Sequence, residues 1–258
     1  MSAKDWNPEL YLKFDKERIQ PSIDLVSRID FDHPRNIIDI GCGPGNSTQI
    51  LAQRWPTSKI TGVDNSLAMI ERAKLDFPKQ EWQLLDAGKD DIIGEYDVVF
   101  SNATIQWIPK HVELFKKIKG ILSDKGVVAI QLPLFFDMPL GRSISNISKE
   151  KAWNSVTYSV NQLFTIHNYS EYYTILSDLF NSVVIWQTDY IHIMDSQHSI
   201  LEMIRSTGLK PYLDRLESEI DKINFEKKVL AAIKQDYPVQ KNGKVLFPFK
   251  RLFFIAKK

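Results

Sequence analysis

Apolar residues in this chain come in short unbroken runs, not in polar–apolar alternation. Runs of this kind predict strands at 36–40, 59–64, 81–86, 95–101 and 126–132. A strand without a polar face belongs in a sheet covered on both sides. Between the runs, 46–54, 66–76 and 110–122 have the spacing of helices. A β-α-β-α order dictates a parallel, doubly wound sheet. Ahead of it, 8–19 and 21–30 read as two short helices, with Pro21 in a first turn where its missing N–H does no harm. Past Pro133 the rhythm changes to a mixed stretch, 134–168, rich in Ser, Asn and aromatics. A helix at 169–180 and a strand at 182–193 follow, then two or three helices in 197–236. The turn pair Asn242-Gly243 introduces a last strand, 245–257. The expectation is one α/β domain over 1–258, with a Rossmann-like, mostly parallel, seven-stranded sheet. Residues 1–32 would form N-terminal helices, and insertions 134–168 and 197–240 a helical cap.

Composition narrows the partners. With 33 basic against 32 acidic residues the net charge is +1, so no overall field draws in nucleic acid or an anionic membrane. The longest apolar stretches, Val127–Phe136 and Val245–Ile255, fall short of the ~20 residues a membrane-spanning helix needs. One cysteine allows no internal disulfide, and one Cys with five scattered His shows no metal-ligand spacing. The N-terminus has no apolar signal core. These features predict a cytoplasmic monomer without nucleic-acid, membrane or metal partners.

The chemistry is concentrated at strand ends. Asp39 closes the first strand, and Gly41, Gly43 and Gly45 follow, with Asn46-Ser47-Thr48 available to cap the next helix. The G-x-G-x-G spacing differs from the G-x-G-x-x-G of dinucleotide sites, and Asp39 would repel a pyrophosphate. Asp64, ending the second strand beside Asn65, is placed to accept hydrogen bonds from ribose hydroxyls. Asp86-Ala87, ending the third, can present a carboxylate and an N–H to an adenine edge. An acid-lined nucleoside site suits S-adenosylmethionine, whose ammonium and sulfonium are cationic. Asn102 ends the fourth strand where the methionyl end should lie, and Gln106 and Trp107 can floor a reaction pocket.

With these motifs the chain resembles the class I S-adenosylmethionine-dependent methyltransferases, and among them the trans-aconitate 2-methyltransferase family. The glycine motif belongs to the wider class. The marks of the resemblance also include Ile60-Thr-Gly-Val-Asp64 with Met69-Ile70, Asn102 with Gln106-Trp107, Gln240-Lys-Asn-Gly243 and Arg251-Leu-Phe-Phe-Ile-Ala256. The much narrower ones are Asp5-Trp-Asn-Pro-Glu-Leu-Tyr-Leu-Lys-Phe14 with Glu17-Arg18 and Thr207-Gly-Leu-Lys-Pro-Tyr-Leu213. The resemblance implies methyl transfer to a carboxylate of a small polyacid, giving a monomethyl ester. It also implies that Tyr11 and Arg18 close over donor or substrate, and that Met69 joins the donor site. The chain departs from the family at Gln20 and Lys210, where arginine is usual, and across 134–168. A carboxylate acceptor, with a pKa near ~4, is already ionised and needs no general base. Its remaining carboxylates call for cations and hydroxyl donors, and the candidates are Tyr172, Arg205, Lys210 and Tyr212, with Arg142 and Arg215 in reserve. Other small acids, a carrier-bound malonyl group, or donor binding without turnover are alternatives.

Overall fold

The computed structural model describes residues 5–9 and 13–258, leaving aside the side chains of residues 15–17. Helix α1 spans Asp15–Ser27 and strand β1 Asn36–Ile40. Then come α2 (Asn46–Arg54), β2 (Lys59–Asp64), α3 (Leu67–Asp76), β3 (Glu81–Leu84) and β4 (Tyr96–Asn102). A 3-10 turn, Ile105–Trp107, leads into α4 (His111–Ile121) and β5 (Leu122–Pro133). The later elements are α5 (Pro139–Ile147), α6 (Asn154–Thr157), α7 (Tyr169–Ser177), β6 (Ser182–Met194), α8 (Gln197–Arg205), α9 (Lys210–Leu213), α10 (Glu219–Asp236) and β7 (Val245–Lys257).

All seven strands join one sheet in the order β3-β2-β1-β4-β5-β7-β6. The pairings β3–β2, β2–β1, β1–β4 and β4–β5 are parallel, so the fold is the doubly wound α/β sheet that the alternation predicted. β7 runs against β5, with the Lys258 N–H on the Gly126 carbonyl and the Leu134 N–H on that of Lys250. Ile37, Ile38, Val98, Val99, Phe100, Val128, Ala129 and Ile130 are fully enclosed, which is why these strands carry no polar alternation. The order reverses between β1 and β4, and in such sheets ligands bind at the carboxyl ends of the strands beside that reversal.

The chain divides into two compact units. One comprises Asp5–Leu132, Thr165–Gln187 and Leu252–Lys258 and contains β1 to β4 with their helices. The other, over Pro133–Phe164 and Thr188–Arg251, holds α5, α6, α8, α9 and α10. Its core includes Leu140, Ile144, Ile200, Ile204, Tyr212, Phe225 and Val229, with the Trp153 ring edge-on to Phe225.

The N-terminal helices differ from expectation. One helix, Asp15–Ser27, runs through Pro21 where two were expected to meet, and the first expected helix, 8–19, covers residues outside the described ones. An interior proline costs a helix about 3 kcal/mol. Here Leu25 and Val26, buried from the same helix, hold it against that cost. The stretch 134–168, expected as a mixed insertion within a helical cap, contains α5, started by Pro139 at its first turn, and α6.

Candidate functional site

Three glycines in five residues turn the chain from β1 into α2, each for its own reason. Gly41 has φ +73°, and a Cβ there would lie 2.1 Å from the Thr104 side chain. Gly45, at φ +97°, is backed by Phe77 and Trp82, so a side chain would push α2 off β3. Gly43, at φ +55°, has no atom of the described residues, its own chain neighbours aside, within 4 Å of a built Cβ. Its glycine serves the backbone turn and leaves open space beside the loop. The N–H groups of Gly41 and Cys42 both donate to the Val63 carbonyl, at 2.7 and 3.0 Å, tying the loop to the end of β2.

Asp39 is fully buried behind this loop. Its Oδ2 accepts from the Ser47 and Thr48 hydroxyls, both at 2.7 Å, while Oδ1 has no hydrogen-bond partner among the described residues. Burial pushes its carboxyl up to about 6, against the pull of the two hydroxyls. A buried carboxylate with one oxygen fixed and one unsatisfied is matched by a cationic donor. Ser47 and Thr48, expected to cap α2, do not: the N-cap is Gly45, and the two hydroxyls turn back to the strand.

At the end of β2, Asp64 accepts the Gly43 N–H at Oδ2 and the Ser66 N–H at Oδ1, each at 2.9 Å. Burial raises its pKa, partly offset by those amides. Ser66 caps α3 through the Met69 N–H and donates its hydroxyl to Asp5. Met69 is buried behind the cap, and Asn65 is exposed. Past β3, Asp86 accepts from the Gly88 N–H at 3.0 Å and from Lys89 at 2.7 Å. Burial alone would raise its carboxyl, but hydrogen bonds from Lys89, Gly88 and Asn65 outweigh it and hold the group below the usual range. Ala87 is buried next to it.

Between Gly41–Ser47, Asn102 and the α1 residues Arg18, Ile19 and Ser22 lies a cleft of about 360 Å³, open mouth included. Asn102 Oδ1 is buried without a hydrogen-bond partner among the described residues. Arg18 is 7% exposed, with its guanidinium 5.8 Å from the Phe14 ring. Tyr11 lies outside the described residues. Asp64 and Asp86 sit at neighbouring strand ends and do not line the cleft itself, and Asp39 lies fully buried behind the loop that does. The unsatisfied oxygens of Asp39 and Asn102 and the open side of Gly43 fit the amino-acid end of S-adenosylmethionine; Asp64 fits its ribose.

Beyond Asn102 the backbone is unusual. Ala103 adopts φ +55°, a left-handed conformation that costs a non-glycine residue energy. Its N–H donates to the Gln131 carbonyl at 2.9 Å, and its own carbonyl accepts Gln106 Nε2 at 2.7 Å. Gln106, expected to face a substrate, therefore uses its amide N–H₂ as a clamp, leaving Oε1 buried without a partner. Trp107 is half-buried, with the Trp6 ring edge-on at 5.7 Å.

The other acceptor-binding residues named from the sequence are committed elsewhere. Arg205 makes a two-pronged ion pair with Glu226, its Nε at 2.5 Å from Oε1. Lys210 pairs with Asp214 one turn along, at 2.5 Å, and Arg142 donates to the Asp137 carbonyl at 2.6 Å. Tyr212 is fully buried and donates to Asn161 at 2.7 Å; Tyr172, equally buried, meets His111 Nδ1 at 3.0 Å. Arg215 is exposed. The residues the sequence did not single out are Ser47, Thr48 and Thr104. Thr104 fills the space of a Gly41 side chain and donates to the Gly41 carbonyl at 3.2 Å. The signal for the first two was their spacing, eight and nine residues after Asp39, in the first turn of the helix that follows β1.

Comparison with known proteins identifies the family. A family model described as a methyltransferase domain matches residues 11–208. The trans-aconitate 2-methyltransferase of Enterobacter sp. (strain 638) is 38% identical over 256 residues, 98% of each chain. That of Escherichia coli (strain K12 / DH10B) is 37% identical over 254 residues, again 98% of each. Among solved structures, the YcgJ protein of Bacillus subtilis superposes with a TM-score of 0.64 at 12% identity, over 92% of this chain and 98% of that one. The phosphoethanolamine N-methyltransferase 2 of Haemonchus contortus gives 0.60 at 17%, over 97% and 56%. At these identities the structures speak to the fold alone, whereas the sequence relatives cover the whole length: the chain belongs to the trans-aconitate 2-methyltransferase family of methyltransferases.

Proposed function

We propose that this enzyme moves a methyl group from S-adenosylmethionine to a carboxylate of trans-aconitate, giving the monomethyl ester and S-adenosylhomocysteine. The observation that carries the donor half is Asp39, a buried carboxylate held by two hydroxyls with its other oxygen unsatisfied. The acceptor is carried by identity of 37–38% along the full chain to enzymes named for trans-aconitate.

The donor supplies an electrophilic methyl carbon on a sulfonium. An acceptor carboxylate oxygen bonds to that carbon as the carbon–sulfur bond breaks, its electron pair staying on sulfur. Both charges vanish and no proton moves, so the chain supplies position and dryness rather than a base. In this reading Asp39, Gly41, Gly43 and Asn102 hold the methionyl end, Asp64 and Asn65 the ribose, and Met69, Asp86 and Ala87 the adenine. Arg18 and Tyr11 close over the donor, and Trp107 with the Gln106 turn borders the acceptor. In the same reading Arg205, Lys210, Tyr172 and Tyr212 do not touch the acceptor directly, because each is engaged within its own unit. The protein acts as a cytoplasmic monomer without a nucleic-acid partner, in keeping with its net charge of +1. Among the described residues no helix is long and apolar enough to cross a membrane.

The test is turnover of labelled donor against a panel of di- and tricarboxylic acids and a malonyl-carrier conjugate. Trans-aconitate should give the highest kcat/KM, and a preference for the conjugate or for monoacids would defeat the assignment.

A further inference from the structure

His111 opens α4 and is 1% exposed, among Phe115, His167, Tyr172 and the turn Ile105–Trp107. Its Nε2 lies 2.9 Å from the Ile105 carbonyl oxygen. A carbonyl can only accept, so Nε2 carries the hydrogen and Nδ1 presents a lone pair. That lone pair receives the Tyr172 hydroxyl at 3.0 Å. Burial lowers the His111 pKa, keeping the ring neutral and the direction of the relay fixed. Tyr172 stacks on the imidazole at 5.6 Å and packs against Phe115 and Phe254. The relay runs from the Tyr172 hydroxyl through the imidazole to the Ile105 carbonyl oxygen.

An aliphatic or phenyl side chain would fill this volume without needing any hydrogen bond. The relay's output is instead a carbonyl of the short turn that carries Gln106 and Trp107. Other bonds fix the same turn: Thr165 N–H on the Gln106 carbonyl at 2.8 Å, and Gln106 Nε2 on the left-handed Ala103. Ala103 directly follows Asn102 of the donor cleft. A shift of Ile105 would therefore move Trp107 and the Ala103 clamp together while leaving Asp39 and Asp64 on their own strands.

We propose that His111 and Tyr172 are positioning residues for the acceptor, fixing the Ile105 carbonyl and through it the attitude of the Gln106-Trp107 turn. The proposal rests on the reading of that turn as the acceptor border.

The test compares wild type with His111→Leu, His111→Gln and Tyr172→Phe, measuring donor Kd by calorimetry, kcat and KM for trans-aconitate per folded enzyme, and Tm. Loss of the carbonyl anchor should lower acceptor kcat/KM about 10- to 100-fold in His111→Leu, the scale of a sub-ångström to ångström misplacement. Donor Kd should stay within about twofold, since its hydrogen bonds are not shared with this relay. In His111→Gln an N–H can again reach the Ile105 carbonyl, so most of the loss should be restored. Tyr172→Phe, which keeps the imidazole, should lose only a few-fold, and it carries the test if His111→Leu does not fold. A lower Tm with unchanged kcat and KM would overturn the proposal, as would a parallel loss of donor affinity or equal damage in Leu and Gln. Trp107→Ala separates the two readings. If it leaves acceptor KM unchanged, the turn is not the acceptor border, whatever His111 does.

Discussion

The buried oxygens at the carboxyl edge of β1 and β4 are handled differently from several charged side chains of the Thr188–Arg251 segment. Asp39 and Asn102 each keep one buried oxygen without a partner among the described residues, and Gly43 leaves open space. In Thr188–Arg251 three cations close on carboxylates: Arg205 on Glu226, Lys210 on Asp214, Lys244 on Asp195. Leaving a buried polar atom unsatisfied costs about 1–3 kcal/mol, so a fold tolerates it where a ligand completes the set. Residue type alone is thus a poor guide to a binding role; an incomplete hydrogen-bond set inside a cleft is a better one.

The comparison breaks most directly at Asp39. Asp39→Asn keeps an acceptor for Ser47 and Thr48 but removes the charge. Losing a buried charge-assisted partner should weaken S-adenosylmethionine binding about 100-fold. A donor Kd within threefold of wild type, measured by calorimetry, would detach Asp39 from the methionyl end. Asp64→Ala comes next, with donor Kd raised about 10- to 100-fold and acceptor KM at saturating donor unchanged. A change in acceptor KM without one in donor Kd would remove the ribose role.

Much of this edge was legible. Strand β1 and helix α2 fall at their expected bounds because Asp39 and the glycines punctuate an apolar run sharply. The ion pairs of the cationic candidates were only partly legible, for a physical reason. Lys210 and Asp214 are four apart, a spacing that pairs them on one helix face, so that engagement could have been read. Glu226 lies 21 residues beyond Arg205 on another helix, and only the packing of α8 on α10 brings them together. Pro21 was illegible for a related reason: tertiary burial of Leu25 and Val26 overrides a local rule.

A third prediction concerns pH. The Asp39 carboxyl is raised from 3.8 to about 6, so between those values the folded protein holds a proton that the unfolded chain releases. Its contribution to stability is fully present below about 3.8 and is lost as pH rises to about 6. His111 and His192 have the opposite sign. Burial lowers both, His192 to about 4, so their contribution is present above 6.5 and is lost as pH falls below it. Wild type and Asp39→Asn share the histidines and differ in the carboxyl. Melting curves should therefore show the Tm of wild type relative to Asp39→Asn increasing as pH drops from 6 to 4. A constant difference across that range would mean that Asp39 titrates normally.

The smallest effect belongs to the closed side of the comparison. Arg205 is half exposed and its partner Glu226 largely buried, so the pair is intermediate between a surface contact and an interior one. Arg205→Gln should lower stability by about 1 kcal/mol or less after solvent screening. Because the guanidinium is spent on Glu226, acceptor KM for trans-aconitate should move less than about twofold. The double change Arg205→Gln with Glu226→Gln sharpens the point. If the pair is only structural, the second substitution recovers part of the stability lost in the first, since no carboxylate is left without its cation. A large rise in KM in both variants, with Tm unchanged, would return Arg205 to the substrate.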